Sequence, residues 1–312
     1  MLAYIARRLG SLALTMLVVT VLLFALMHSV PGGPFEVYFE KQPLPDFALQ
    51  NIKHKYGLDR PVWEQYLRWL WAALHGDFGI PYESPTETVT GLILRAWPVT
   101  MRIGILTIAL AYLLGLFFGI VAAVRQNTWI DGAMTFLATL GITLPNFVVG
   151  FVLIQIFAVQ LHWFPTGGCC EPRQLVMPVI AYALGPTAGV ARFVRTSMLE
   201  VMRTEYVTMA RARGLPEWRV LRRYVLRTAL IPLITILGPQ IPDILTGSIF
   251  IEATFAIPGI GAYFTTASQT RDYPMIMALA LLVGFLWGTL YLLSDIAYTI
   301  VDPRVRLEGL RR

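Results

Sequence analysis

The stretch RARGLPEWRVLRRYVLRTALIP, Arg211 to Pro232, decides how this chain is read. It gathers Arg211, Arg213, Arg219, Arg222, Arg223 and Arg227, with no lysine, in the middle of a 312-residue chain that is 56% hydrophobic. On a helix beginning after Gly214, the residues Leu215, Trp218, Leu221 and Val225 recur at spacings of three to four, while Arg219, Arg223 and Arg227 recur in fours. The spacing predicts an amphipathic helix with one apolar and one cationic stripe. Gly214 and Pro216 set a turn at its start, because glycine accepts left-handed backbone and proline suits a first helical turn. Three readings stand open: cationic anchoring on anionic lipid, nucleic-acid binding, or a docking surface for a partner on the same side of the membrane. The small number of aromatic residues near the loop argues against nucleic acid.

Outward from that loop the chain is apolar. With a mean hydropathy of +0.62 and only 14% charged residues, one soluble domain with a wet surface is excluded. Runs of about 20 apolar residues mark helices that cross a hydrocarbon core of about 30 Å. Leu9 to Val30, Ile103 to Val124, Ala133 to Leu161 and Leu175 to Ala191 carry no charge; Ala229 to Ile251 is interrupted only by Asp243, and Met275 to Val301 only by Asp295. The expectation is an all-α, polytopic membrane protein with six transmembrane helices. It divides into an N-terminal transmembrane anchor over 1–30, an extracytoplasmic segment over 31–97, a five-span core over 98–301 with its basic loop at about 200–228, and a tail over 302–312. The first run is too long for a signal peptide and no A-x-A site follows it, so it is read as retained.

Charge orients the spans. Arg7, Arg8, Arg125, the nine arginines from Arg192 to Arg227, and Arg304, Arg306, Arg311 and Arg312 fall on one side, 16 of the 25 Lys and Arg. By the positive-inside rule that side is the cytoplasm, and both termini lie there. The opposite side receives Lys41, Lys53 and Lys55, and the segment LDRPVWEQYLRWLWAALHGDFG (Leu58 to Gly79). Apolar Val62, Tyr66, Leu67, Leu70 and Leu74 there predict a small helical cap on the outer membrane surface. Cys169 and Cys170 fall on the same side. They are either two small residues in a short loop or a vicinal disulfide, which adjacent cysteines form only with backbone strain.

Chemistry is sparse. No G-x-x-x-x-G-K-[ST] is present, and all three lysines lie outside, so no nucleotide phosphate is held by that route. His28, His54, His75 and His162 are scattered singly, with no H-E-x-x-H and no expected metal ligands. No G-x-S-x-G marks a nucleophile. No catalytic residue is expected, and what remains is movement of a solute. Pro145 with Asn146, Gly185-Pro186 with Thr187 and Gly189, and Gly238-Pro239, Pro242 and Gly247 predict broken helices at membrane depth, tolerated only against other helices or a water-filled cavity. Asp243 lies near midplane, where a charge costs about 2.5 to 3.5 kcal/mol and faces a partner or a cavity. It is read either as an acid lining a path or as a structural pair. Asn146, Thr187 and Gln240 are the other candidates for the translocation pathway.

The loop SMLEVMRTEYVTMARARGLPEWRVLRRYVLRTALIP (Ser197 to Pro232) resembles the coupling loop of ABC importer permeases, in the branch that transports peptides, with A-R-A-x-G-L at Ala210 to Leu215. The family's usual Glu-Ala-Ala, six residues before the glycine, is here Thr208-Met209-Ala210. VPGGPF (Val30 to Phe35), YGLDRPVWEQY (Tyr56 to Tyr66), HGDFG (His75 to Gly79), GSIFIEATFAIPGIG (Gly247 to Gly261), RDYP (Arg271 to Pro274) and DPRVR (Asp302 to Arg306) are similar to the B-type subunit of oligopeptide and dipeptide permeases. That branch also includes permeases for nickel, glutathione and oligosaccharides. The resemblance implies the type I importer permease fold in a bacterial inner membrane. It further implies a second homologous permease subunit, two cytoplasmic ATPases that hold ATP and Mg, and an extracytoplasmic solute-binding protein. Contact with the ATPase would involve Thr208, Ala210, Arg211, Ala212, Gly214, Leu215, Trp218 and Leu221. Glu252, Phe255, Pro258 and Gly259 would lie in an outer loop facing the binding protein, or form a plain turn between spans. A self-sufficient secondary transporter using Asp243 is the rival class, and no convincing inverted repeat supports it.

Overall fold

The computed structural model describes residues 2–31, 33–35 and 45–301, all in helices, turns and loops. The expected tail over 302–312, with its DPRVR motif, and Lys41 and Gly32 lie outside the described residues. The helices are α1 (Leu2–Ser29), α2 (Asp46–Lys55), α3 (Val62–Leu74), α4 (Val89–Val124), α5 (Trp129–Thr143), α6 (Asn146–Leu153), α7 (Pro172–Met202), α8 (Glu205–Ala212), α9 (Glu217–Val220), α10 (Ile231–Leu245), α11 (Ile249–Thr254), α12 (Ile260–Thr270) and α13 (Tyr273–Val301). Wider π turns extend α6 over Ile154–Gln160 and follow α9 over Leu221–Leu226.

Among the described residues, four helices are long and apolar enough to cross a membrane: Ala6–Ser29, Val89–Val124, Pro172–Met202 and Tyr273–Leu293. A fifth candidate, Trp129–Thr143 with Asn146–Gln160, is bent by 104° at Leu144–Pro145. Pro145 therefore turns the chain sharply where a kink was expected, because it cannot donate to the ladder and drives the preceding residue out of helical backbone. Leu144 accordingly sits at ψ 124°. The sixth predicted span, Ala229 to Ile251, is interrupted. Its longest piece, α10, has 15 residues, about 22 Å at 1.5 Å per residue, and Gly247 at φ +85° ends it. By contrast α7 runs unbroken through Pro178 and also through Gly185-Pro186, where a break was expected.

The chain forms two compact units, Met1–Thr100 with Pro258–Thr289, and Met101–Ile257 with Leu290–Arg312. In the first, Val89, Leu92, Ile93 and Ala96 pack with Ile260, Ala267, Met275, Ala278 and Leu279. Gly284 and Gly288 of α13 meet Met16 and Leu12 of α1. The RDYP motif is structural here: the Arg271 guanidinium donates to the Pro31 carbonyl (2.9 Å), the Tyr273 hydroxyl donates to that of Met27 (2.9 Å), and Asp272 Oδ1 accepts from the Met275 amide (3.2 Å). Burial pushes the Asp272 carboxyl above its ordinary range. Helix α3 ties to α1 through Thr20 and Tyr66 (3.0 Å), and leaves Trp63, Leu67, Trp71 and Leu74 exposed along one face. An exposed tryptophan-bearing stripe suits a membrane interface. The apolar window of α1 is itself only 6% buried.

The second unit is built around α7, which packs on α5 and α6. Glu171 and Gln174 form a capping box at its start, with Pro172 in the first turn. Gly115 and Gly119 of α4 lie directly over Val190 and Val194: a Cβ at either would stand 2.6–2.7 Å from those valines. Small residues four apart let two apolar helices touch backbone to side chain, the packing that association in lipid depends on.

Candidate functional site

The basic loop folds onto this second unit. Val207 and Ala210 of α8, together with Val220 and Val225, are buried against Val190, Val194, Met198 and Ala123. Leu215 and Leu221 pack at the rim of that cluster. Trp218 does not: it is 60% exposed. The buried residues on this stretch are Val220, at the end of α9, and Val225, within the π turns that follow it. Trp218 shares its exposure with Tyr206 and Met209. Arg219 lies 5.5 Å over its ring.

Gly214 stands at φ +77° with nothing within 4 Å of where a Cβ would be. Its requirement is one of backbone alone. Across the turn Arg211 donates to both Glu217 carboxylate oxygens, at 3.2 and 2.7 Å, and these bonds hold Glu217 below the usual carboxylate range. Thr208, Arg211 and Ala212 are exposed, whereas Ala210 is buried. The arrangement is a cation-rimmed turn with exposed apolar Met209 and Trp218 beside it.

Away from that loop the same unit gathers polar groups. Tyr112 donates to Gln240 Oε1 (3.2 Å), and Tyr182 lies within 3.3 Å of the Asp243 carbonyl. Asn146 donates to the Ser248 hydroxyl (3.4 Å), which in turn caps α11 by accepting from the Ile251 amide. Gln240 and Asp243 are three apart and share a helix face. Asp243 is exposed in this chain. Thr187 is buried instead, its carbonyl against Gly115 of α4.

The outer turn closes on itself. Glu252 and Phe255 are buried, while Pro258 is exposed and Gly259 buried. The Gly168 amide donates to the Phe255 carbonyl (3.0 Å), and a Cβ on Gly167 would stand 2.1 Å from that same oxygen. Phe255 also packs over Gly150. Of the four residues expected to face a binding protein or to form a plain turn, Glu252 and Phe255 have their side chains buried within this unit. The hydrophobicity of Phe255 was the available signal.

One pair escaped sequence reading. Asp131, buried in the first turn of α5, accepts from Arg195 Nε (2.6 Å) and a terminal guanidinium nitrogen (2.8 Å), and from the Asn127 amide (3.1 Å). This bidentate clamp ties α5 to α7 at the end nearer the basic loop. Nothing in sequence spacing joins residues 64 positions apart.

Comparison with known proteins places this geometry. Residues 115–307 match the family described as binding-protein-dependent transport system inner membrane component, and residues 1–104 match its N-terminal module. The dipeptide transport system permease protein DppB of Bacillus subtilis (strain 168) is 39% identical over 98% of both chains. The oligopeptide transport system permease protein OppB of Escherichia coli (strain K12) is 36% identical over 98% of this chain and 100% of its own. Among solved structures, the inward-facing MetNI methionine ABC transporter matches with a TM-score of 0.57 at 18% identity, covering 68% of this chain and 96% of that one. An amino acid ABC transporter matches with a TM-score of 0.52 at 16% identity, over 69% and 94%. The solved structures speak for the fold alone. The family models and the relatives matched over nearly their whole length carry the assignment: the chain belongs to the binding-protein-dependent transport system inner membrane components, the permeases of ABC importers.

Proposed function

We propose that the chain is one membrane half of an ATP-driven importer of dipeptides or oligopeptides. The observation that carries it is the near full-length identity to DppB and OppB, joined to a basic loop that is anchored inside yet keeps Trp218 and Met209 exposed around Gly214. Such a loop suits insertion into a groove of a partner subunit. In this reading a second homologous permease completes the membrane portion, two cytoplasmic ATPases bind ATP with Mg, and an extracytoplasmic binding protein delivers the solute. Both termini are cytoplasmic in a six-span topology, with α10 and its flanking pieces as the fifth crossing and the bent α5–α6 pair as the third. Closure of the ATPases can bias the permease only through contacts that differ between its two states. Thr208, Arg211, Ala212, Gly214, Leu215, Trp218 and Leu221 supply that contact, with Ala210 holding α8 down beneath it. Gln240, Asp243 and Asn146 line the path. Asp243 receives the cationic amino end of a peptide, and Thr187 supports the helix from behind.

The test is reconstitution of the chain with the permease, ATPases and binding protein expected beside it, followed by uptake of labelled trialanine into liposomes. Uptake that needs ATP and the binding protein supports the reading. ATP-driven uptake of nickel, glutathione or an oligosaccharide in place of peptide would move it to another solute of the same branch. Solute carried by the chain without any ATPase would overturn it in favour of a secondary transporter.

A further inference from the structure

Cys169 and Cys170 have no part in the transport reading. Their sulfurs stand 2.7 Å apart, both as free thiols, with Cys170 exposed and Cys169 partly covered. The backbone on either side is clamped. Downstream, Gln174 Oε1 accepts from the amides of Cys170 (2.9 Å) and Glu171 (3.0 Å) at the start of α7. Upstream, the Gly168 amide is bonded to the Phe255 carbonyl, and Gly167 is pressed against the same group. A change in the dicysteine therefore has no slack loop to absorb it.

We propose that Cys169 and Cys170 form a redox-labile vicinal thiol–disulfide pair whose state is transmitted through Gly168 to the Phe255 turn. The oxidant is an incoming disulfide, either a protein disulfide or a small-molecule one. Proximity to an oxidising compartment rests on the topology proposed above. The exposed Cys170 loses its proton and attacks one sulfur of that disulfide, expelling a thiolate and leaving a mixed disulfide. The Cys169 sulfur, deprotonated in turn, attacks Cys170 Sγ, expels the second thiolate and closes the Cys169–Cys170 bond. The two cysteines lose two electrons and two protons, and the incoming disulfide becomes two thiols. Burial, and then the neighbouring Cys170, push the Cys169 thiol up to about 11, so the exposed Cys170 is the entry point. Adjacent Cα atoms lie about 3.8 Å apart, below the span that disulfides ordinarily bridge. The bond is consequently strained and easily reduced, as a reversible device requires. Oxidation twists the peptide between the cysteines, and the fixed Gln174 anchor directs that movement toward Gly168 and Phe255.

The experiment uses the full chain in membrane vesicles, treated with oxidised glutathione or with dithiothreitol, then quenched with N-ethylmaleimide and mapped by mass spectrometry. After oxidised glutathione the peptide holding both cysteines should be two hydrogens lighter and free of maleimide; after dithiothreitol it should carry two maleimides. Amide exchange over residues 165–171 and 253–257 should differ at least about threefold between the two states, and not at all in Cys169→Ser/Cys170→Ser. Maleimide on both cysteines after oxidation, or a retained glutathione, would overturn the disulfide. Equal exchange around Phe255 in both states would overturn its transmission. Neither readout involves uptake, so failure of the importer reading would show separately, in the liposome assay alone.

Discussion

The second unit holds two glycine turns that do opposite work. At Gly214 the backbone is left-handed and the surroundings are empty; at Gly167 and Gly168 the space is filled by the Phe255 carbonyl and the Gln174 side chain. The first turn needs glycine for its dihedral angle, which leaves its surface free for another molecule. The second needs it for close approach at Gly167, and at Gly168 for close approach and for its φ of +108° as well, which uses the surface up inside the chain. The same residue type thus marks an outward-facing element in one place and an interior joint in the other, and only the neighbours tell them apart.

The sharpest way to break this contrast is Gly167→Ala. A Cβ placed 2.1 Å from a backbone oxygen has no flexible side chain to push aside, so a loss of about 2 to 3 kcal/mol is expected, read as a lowered midpoint of thermal unfolding in detergent. A normal midpoint would mean that the outer turn is as open as the inner one. Next comes Gly214→Val, which strains a β-branched residue at positive φ. It should reduce ATP-driven uptake by at least about tenfold, with normal insertion into the membrane. Gly214→Asn, tolerant of left-handed backbone, should retain uptake within about threefold of the parent. If asparagine fails as badly as valine, the inner glycine too serves a close approach, to the ATPase.

Trp218→Ala should lower uptake while changing stability by less than about 0.5 kcal/mol, as an exposed side chain does, measured by the same unfolding midpoint. A larger stability loss would place Trp218 within the fold after all. The smallest effect belongs to Arg211→Gln. The Arg211–Glu217 pair is surface-exposed, and its removal should cost under about 1 kcal/mol after solvent screening. Arg211 lowers the Glu217 pKa below its ordinary 4.5. The pair's contribution is therefore present above pH 4.5 and fades as pH falls through the lowered value. The variant should match the parent most closely at the acid end.

Periodicity and charge made much of this legible. The long apolar helices and the basic loop follow from runs and spacings, and Gly214 was readable as a turn because proline follows two positions later. Periodicity did not show where the helix changes its own period: Leu221 to Leu226 adopts π turns, and of the expected stripe Val225 is buried and Leu215 and Leu221 pack on the core, while Trp218 is exposed and Val220 is buried beside it. Proline gave the position of a disturbance but not its size: Pro145 folds the chain back, while Pro178 and Pro186 leave α7 whole. For the turn at Glu252 to Gly259 the sequence left two readings open, a loop facing a binding protein and a plain turn, and nothing local shows that Gly167 and Gly168 arrive to cover Phe255. The Asp131–Arg195 clamp depends wholly on tertiary proximity, which no local pattern encodes.

The seam between α4 and α7 sets the mechanics of the second unit. Val190 and Val194 sit in the hollows left by Gly115 and Gly119, so sliding or turning one helix against the other drives a valine into backbone. Packing of this kind ties the two helices into one stiff element. The bend at Pro145 and the break at Gly247 are then the compliant points, where the chain flexes around a member that does not.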